Sequence, residues 1–244
     1  MANNYDPESY WEKRLKDKFS LVGVGHIGFN EYYNKWLYRK KLHAINSFFN
    51  NSFLEDKEVL DIGCGTGFFV QWYLDKGAKV TGIDITDVSI RTLSDRFRKA
   101  SFLKSDITAT QFMSPKKFDI INIWDVIYHQ VEDARFAQAI ANIAATCKPG
   151  CMVLITDKFG SEIDEHVVEH VKFRCMDTYN KIMPKMGFRL LSLHPLYSYL
   201  NKYYANLGKF NNYLAPIFYL MDLTCGVAKD NLSLAVWQYR QALK

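Results

Sequence analysis

Short apolar runs and longer stretches of helical period alternate along the middle of the chain. Val59, Leu60 and Ile62 read as a buried strand, and comparable runs begin at Lys79, Phe102, Phe118 and Cys147. Between them lie stretches of helical period such as Val88 to Lys99 and Ala134 to Thr146. This alternation predicts an α/β fold, a parallel sheet with crossover helices. Further on, the pattern predicts a helix near Asp177 to Met186 closed by Gly187, a strand Phe188 to Leu193 and a last strand Ser233 to Arg240.

Outside this pattern, residues 1–51 form an aromatic and basic region with Tyr10, Trp11, Tyr32, Trp36 and Tyr38. They read as two helices around a glycine-rich loop, a cap on the core, with one of the helices running Asn30 to Ser47. Two insertions, 158–176 and 195–231, are longer than the connections require. The first leaves the carboxyl edge of the sheet, where ligands bind in open α/β folds, and is expected to act as a lid helix. The second is rich in tyrosine and phenylalanine, which suits a hydrophobic roof, a homodimer contact or core packing.

A chain of 244 residues, 48% hydrophobic, can build one α/β domain with appendages. The start of the chain is polar and charged, so the expected location is the cytoplasm. Five cysteines without Cys-x-x-Cys spacing argue against a disulfide framework or a zinc cluster. A net charge of +5 without a long basic run gives no footprint for nucleic acid, and Tyr213 to Ala228 is too short and interrupted for a membrane span.

The chemistry concentrates in Glu58-Val-Leu-Asp-Ile-Gly-Cys-Gly-Thr-Gly-Phe-Phe69. Gly63, Gly65 and Gly67 let the backbone approach a ligand closely, and the helix that follows offers free amides. A phosphate-binding loop would carry Lys-Ser or Lys-Thr after its last glycine, yet Phe68-Phe69 stand there, so the ligand is not a nucleoside triphosphate. A second string, Gly23-Val-Gly25-His-Ile-Gly28, lacks both a convincing strand before it and a ribose-binding acid about 20 residues later. It reads as a loop over the ligand or as a plain surface turn.

The first glycine string resembles the first motif of class I S-adenosylmethionine (SAM)-dependent methyltransferases, and four further segments follow in that family's order. They are Lys79 to Ile85, Phe102 to Ile107, Phe118 to His129 and Cys147 to Asp157, the last with a Lys-Pro-Gly turn. The resemblance implies a Rossmann-like seven-stranded sheet, mostly parallel with its last strand antiparallel, helices on both faces, and SAM as cofactor with S-adenosylhomocysteine as product. It places Asp61, Gly63, Cys64, Gly65 and Gly67 around the methionine and ribose, and Asp84 with Ile85 on the ribose hydroxyls. Asp106 with Ile107 falls at the adenine and Trp124 after the fourth strand, and Tyr33, Tyr38 or Arg39 is offered for the cofactor carboxylate.

Methyl transfer to a hydroxyl needs alignment and a base. His129, just past the fourth strand, is the candidate base, and Asp157 at the tip of the fifth is the candidate to orient it, a pairing similar to that of family members acting on sugar hydroxyls. Tyr128, His166, His170 and Arg174 are the candidate substrate contacts. His166-Val-Val-Glu-His170 also fits a zinc-peptidase pattern, but the surrounding chain does not, so no metal is expected. An Asn/Asp-Pro-Pro-aromatic motif is lacking at Asn122 to Asp125, which disfavours methylation of nucleic-acid bases. The expectation is O-methylation of a small molecule in secondary metabolism or saccharide modification. The alternative is the same fold used as a SAM-binding cyclase or isomerase, or as a non-catalytic regulatory subunit.

Overall fold

The structure is a computed structural model, and it describes residues 5–49, 54–112, 116–226, 228 and 230–240. Seven strands, β1 (Glu58–Ile62), β2 (Lys79–Asp84), β3 (Ser101–Lys104), β4 (Phe118–Ile123), β5 (Cys147–Asp157), β8 (Phe188–Pro195) and β9 (Ser233–Tyr239), form one sheet in the order β3-β2-β1-β4-β5-β9-β8. The first five are parallel, and β9 runs antiparallel between β5 and β8. This is the Rossmann-like sheet the sequence leads one to expect. Strand order reverses between β1 and β4, and in such sheets the crevice at that switch point holds the ligand.

Alternate residues of each central strand feed two cores. Val59, Val80, Ile120 and Leu154 pack with α3 (Glu31–Phe48), α4 (Phe68–Asp75) and α5 (Asp87–Arg96) on one face. Leu60, Ile62, Ile121 and Val153 pack on the other with Phe136, Ile140 and Ile143 of α6 (Asp133–Thr146) and Tyr179 of α7 (Met176–Ile182). Burial on both faces explains why these strands read as continuous apolar runs.

The cap contains α1 (Pro7–Asp17), the short α2 (Leu21–Val24) and α3. Asp6 caps α1 by accepting from Ser9 N at 3.2 Å, and Asn30 caps α3 by accepting from Tyr33 N at 2.9 Å. The second glycine string thus starts inside a helical turn.

Residues 158–176 depart from expectation. They form a hairpin, β6 (Glu165–Val168) and β7 (Val171–Phe173), with His166 opposite Lys172. The β-branched Val167, Val168 and Val171 favour extended backbone, and the turn at Glu169-His170 removes the helical register that would have put both histidines on one face.

The second insertion ends in α8 (Ala215–Thr224), which packs on α3 through Trp36 and Tyr219, ring centroids 5.2 Å apart. The Asp222 carboxylate accepts from the amides of Ser198, Tyr199 and Leu200 at 2.8, 2.9 and 3.1 Å and pins the segment down. It roofs α3 and leaves Phe210, Tyr213, Ile217 and Leu220 exposed. Among the described residues no helix is long and apolar enough to cross a membrane.

Candidate active site

A cavity of about 940 Å³, counting the space open to solvent, lies at the carboxyl ends of β1, β2 and β4. Its floor is the glycine turn. Gly63, Gly65 and Gly67 have φ of 69°, 50° and 79°. A Cβ on Gly63 would fall 2.3 Å from Val126 Cγ2, so the turn fits only glycine there. The amides of Gly63 and Cys64 donate to the Ile83 carbonyl at 2.8 and 3.1 Å, and Gly65 N donates to Asp84 Oδ2 at 2.9 Å. Asp84 Oδ1 accepts from Thr86 N and Oγ1 at 2.9 and 2.7 Å, so this acid holds the loop as well as facing the cavity. Its burial raises its pKa.

Asp61 is the most unbalanced group of the site. Its Oδ1 accepts from Asn122 Nδ2 at 2.7 Å, while Oδ2 is buried with no partner. Burial, opposed by the Asn122 bond and reinforced by the Asp84 charge, pushes its pKa up to about 7. An acceptor left bare in a cavity wall suits a cationic donor, such as the ammonium of an amino-acid moiety. Asn122 Oδ1 also accepts from Trp124 Nε1 at 2.7 Å, and Trp124 stacks on Phe69 at 5.1 Å. At the far end Asp106 accepts from Arg135 Nη2 at 2.9 Å beside Gln130, whose buried Oε1 is unpartnered.

Of the residues expected at the cofactor, Asp61, Gly63, Cys64, Gly65, Asp84, Ile85, Asp106, Ile107 and Trp124 line the cavity. Gly67 stands behind it as the N-cap of α4. Tyr33 and Arg39 do not reach it. Tyr33 is buried and stacked on Phe29 at 3.8 Å, and Arg39 is exposed over the Trp36 ring at 4.4 Å, because the helical period of α3 turns Tyr38 inward in their place.

His129 lines the cavity from a turn of 3-10 helix (Ile127–His129). Its Nδ1 lies 2.7 Å from the His170 carbonyl, which can only accept, so Nδ1 carries the proton and Nε2 keeps a lone pair. Burial lowers its pKa to about 4, against the opposing effect of the His170 bond. Trp11 of α1 meets its ring at 5.0 Å, edge on. Tyr10 hydroxyl and His170 Nε2 are 3.4 Å apart, which joins α1 to the hairpin.

Asp157 is not the group that orients His129. Its Oδ1 accepts from Lys158 N and Arg174 N at 2.8 and 3.0 Å, and Oδ2 accepts from Tyr179 hydroxyl at 2.8 Å. That carboxyl is walled in below the sheet edge, with a pKa raised by burial to about 7. Arg174 is also buried, on Asp133 Oδ1 at 2.9 Å and over the Phe136 ring. His166 is exposed, and Tyr128 packs on Phe173 at 4.9 Å outside the cavity lining. Of the four expected substrate contacts, His170 meets His129 by its backbone carbonyl and a stacked ring, and Tyr128 meets it ring to ring at 4.7 Å.

Sequence reasoning missed Lys41 and Asp125 as a pair. Lys41 Nζ is paired with Asp125 Oδ2 and sits 4.1 Å over the Tyr38 ring. Asp125 lines the cavity at φ 57°, a conformation few non-glycine residues hold, and its amide donates to Thr156 Oγ1 at 2.8 Å. Trp11 and Leu15, one helical turn apart, could have been read as an inward stripe of α1.

This sheet order, with a glycine turn after β1 and acids closing β1 and β2, is the Rossmann-like arrangement of class I SAM-dependent methyltransferase folds. The bare Asp61 oxygen, the glycine cradle and the acid at Asp84 fit that cofactor's amino group, its close backbone approach and its ribose. Residues 59–150 match the family model described as a methyltransferase domain. A ubiquinone biosynthesis O-methyltransferase of Pseudoalteromonas translucida is 34% identical over 130 residues, 48% of this chain and 52% of that protein. The chain thus spans about half the length of the curated relatives it matches. Among solved structures, the 1,6-didemethyltoxoflavin-N1-methyltransferase of Burkholderia thailandensis aligns over 98% of this chain and 93% of its own at TM-score 0.57 and 12% identity. The cyclase SpnF aligns over 78% and 80% at TM-score 0.54 and 15% identity, so the fold is shared by proteins of differing chemistry.

Proposed function

We propose that this protein transfers the methyl group of SAM to a hydroxyl of a small-molecule acceptor, in secondary metabolism or saccharide modification. The observation that carries the reading is His129, a part-buried neutral imidazole in the cavity lining whose Nδ1 proton is held by the His170 carbonyl. The cofactor supplies an electrophilic methyl group on a sulfonium. Asp61 and Asp84 hold its amino group and ribose, the glycine turn follows its backbone side, and Trp11, Trp124 and Phe69 keep water from the reacting end. Nε2 of His129 would take the proton of the acceptor hydroxyl as that oxygen accepts the methyl group, the electron pair of the carbon–sulfur bond remaining with the leaving sulfur. With a pKa near 4 the base is unprotonated throughout the neutral range.

The test is transfer of labelled methyl groups to a panel of hydroxylated acceptors. His129→Asn should lower turnover about 10²–10⁴-fold, the usual worth of a positioned base, with S-adenosylhomocysteine affinity within about twofold. Unchanged turnover with cofactor bound would remove His129 from the reaction.

A further inference from the structure

Two neighbouring helices leave an apolar face on the outside of the molecule. Phe210, Tyr213, Ile217 and Leu220 are 73, 72, 53 and 59% exposed, on α8 and the 3-10 turns (Ala205–Tyr213) that lead into it. α8 buries Ala215, Phe218 and Asp222 against the protein, which turns Ile217, Leu220 and Thr224 outward. Tyr32, Lys35, Trp36 and Arg39 follow one another at helical spacing along α3 and continue that face. Trp36 meets both Tyr32 and Tyr219, at 6.4 and 5.2 Å between ring centroids, and Asn212 Oδ1, next to Tyr213 in the chain, accepts from Asn30 N at 2.9 Å at the start of α3.

The polar rim of the face is cationic. Lys35, Arg39 and Lys202 are exposed, and among the described residues none of them stands in an ion pair. Lys35 and Arg39 lie one turn apart on α3, a like-charge spacing that weakens a helix. The acids of these two helices are turned inward. Asp222 is buried on the amides of residues 198–200, and Oε2 of Glu31 is buried.

A second copy of the chain fits this face poorly. A two-fold pairing sets the same patch against itself, so Lys35 and Arg39 of both copies would be drawn together with no acid to meet them. An anionic lipid surface offers phosphates to all of these cations. It also suits the rest of the layout, with aliphatic side chains in the middle, tyrosines and a tryptophan around them, and basic heads at the rim. Since no helix among the described residues is long and apolar enough to cross a bilayer, the contact is with one leaflet.

We propose that the face built by α3 and α8 is a peripheral docking surface for anionic phospholipid, with Ile217 and Leu220 sunk between headgroups and Lys35 and Arg39 on the phosphates. α3 also carries Tyr38 into the cavity wall, so the docked face and the site share one helix.

The experiment floats the full chain with vesicles of phosphatidylcholine alone and of phosphatidylcholine with phosphatidylglycerol at about one part in three. The mixed vesicles should bind at least about tenfold tighter, each cation at the surface being worth about fivefold, and the difference should shrink as salt rises. Leu220→Asp should weaken binding to the mixed vesicles at least about tenfold while leaving the melting temperature within about two degrees, because the side chain is exposed. Lys35→Glu combined with Arg39→Glu should weaken binding to the mixed vesicles at least about tenfold and leave binding to phosphatidylcholine unchanged. This charge-reversed protein carries the test should Leu220→Asp fail to fold. Equal binding of the two vesicle types, binding to neither, or undiminished binding by the variants overturns the proposal. So does self-association of the unaltered protein that Leu220→Asp abolishes, which would give the face to a second copy.

Discussion

The two halves of the cavity are built in opposite ways. The cofactor half is made of backbone: three glycines in left-handed geometry, amides tied to Ile83 and Asp84, and an acid at the end of each neighbouring strand, all within 24 residues of chain from Asp61 to Asp84. The other half, to which we assign the acceptor, is made of side chains that meet across the sequence, Trp11 with His129 in the cavity wall and Tyr10 with His170 outside its lining. A backbone site is stiff and serves one ligand, whereas a wall of side chains on a cap helix and a hairpin can be re-specified without disturbing the sheet.

Removing an acid on the backbone side should break that half most severely. Asp84→Ala strips the acceptor from Gly65 N and both Thr86 donors, and each bare buried donor costs about 1–3 kcal/mol. Calorimetry should find S-adenosylhomocysteine affinity down by at least about a hundredfold, roughly 2.7 kcal/mol. Gly63→Ala comes next. The αL strain of about 1–2 kcal/mol, added to a Cβ 2.3 Å from Val126, should lower the melting temperature and weaken S-adenosylhomocysteine more than about tenfold.

Acidity should sharpen the comparison further. If the cofactor's ammonium pairs with ionised Asp61, binding releases the proton that a pKa of about 7 leaves on this group in the free protein. Affinity should then rise with pH, by up to about tenfold per unit below pH 7, and level off above it. Titrations in buffers of different ionisation enthalpy should register up to one proton released below pH 7 and none well above. A flat profile would leave Asp61 out of the binding.

The smallest effect belongs to the side-chain half. Tyr10→Phe removes one half-exposed hydrogen bond to His170, worth about 0.5–1 kcal/mol. Its melting curve should shift by a few degrees at most, with cofactor affinity unchanged.

The same division explains what could be read from the chain. The strands were legible because burial on both faces leaves continuous apolar runs, and the cofactor loop because it is one contiguous string from Asp61 to Gly67. The hairpin was not, since His166 and His170 have helical spacing while valines between and after them favour extended backbone. Position along the chain put Asp157 near His129, yet the rotation of its side chain toward Tyr179 depends on packing across 22 residues. Lys41 and Asp125 are 84 apart, and nothing local to either foretells their pairing.

The N-terminal helix supplies Pro7, Trp11 and Leu15 to the cavity wall and is fastened by Glu8 to Lys104 at 2.7 Å and by Glu12 to the Val88 amide at 3.3 Å. Those fastenings sit on the strand and helix that flank the nucleoside end. A cofactor bound beneath this helix would be covered by it, so exchange would need these two polar latches, and the Tyr10 and Trp11 contacts with His170 and His129, to loosen together. Salt in the medium should act on the exposed Glu8–Lys104 latch, so that cofactor exchange quickens as ionic strength rises.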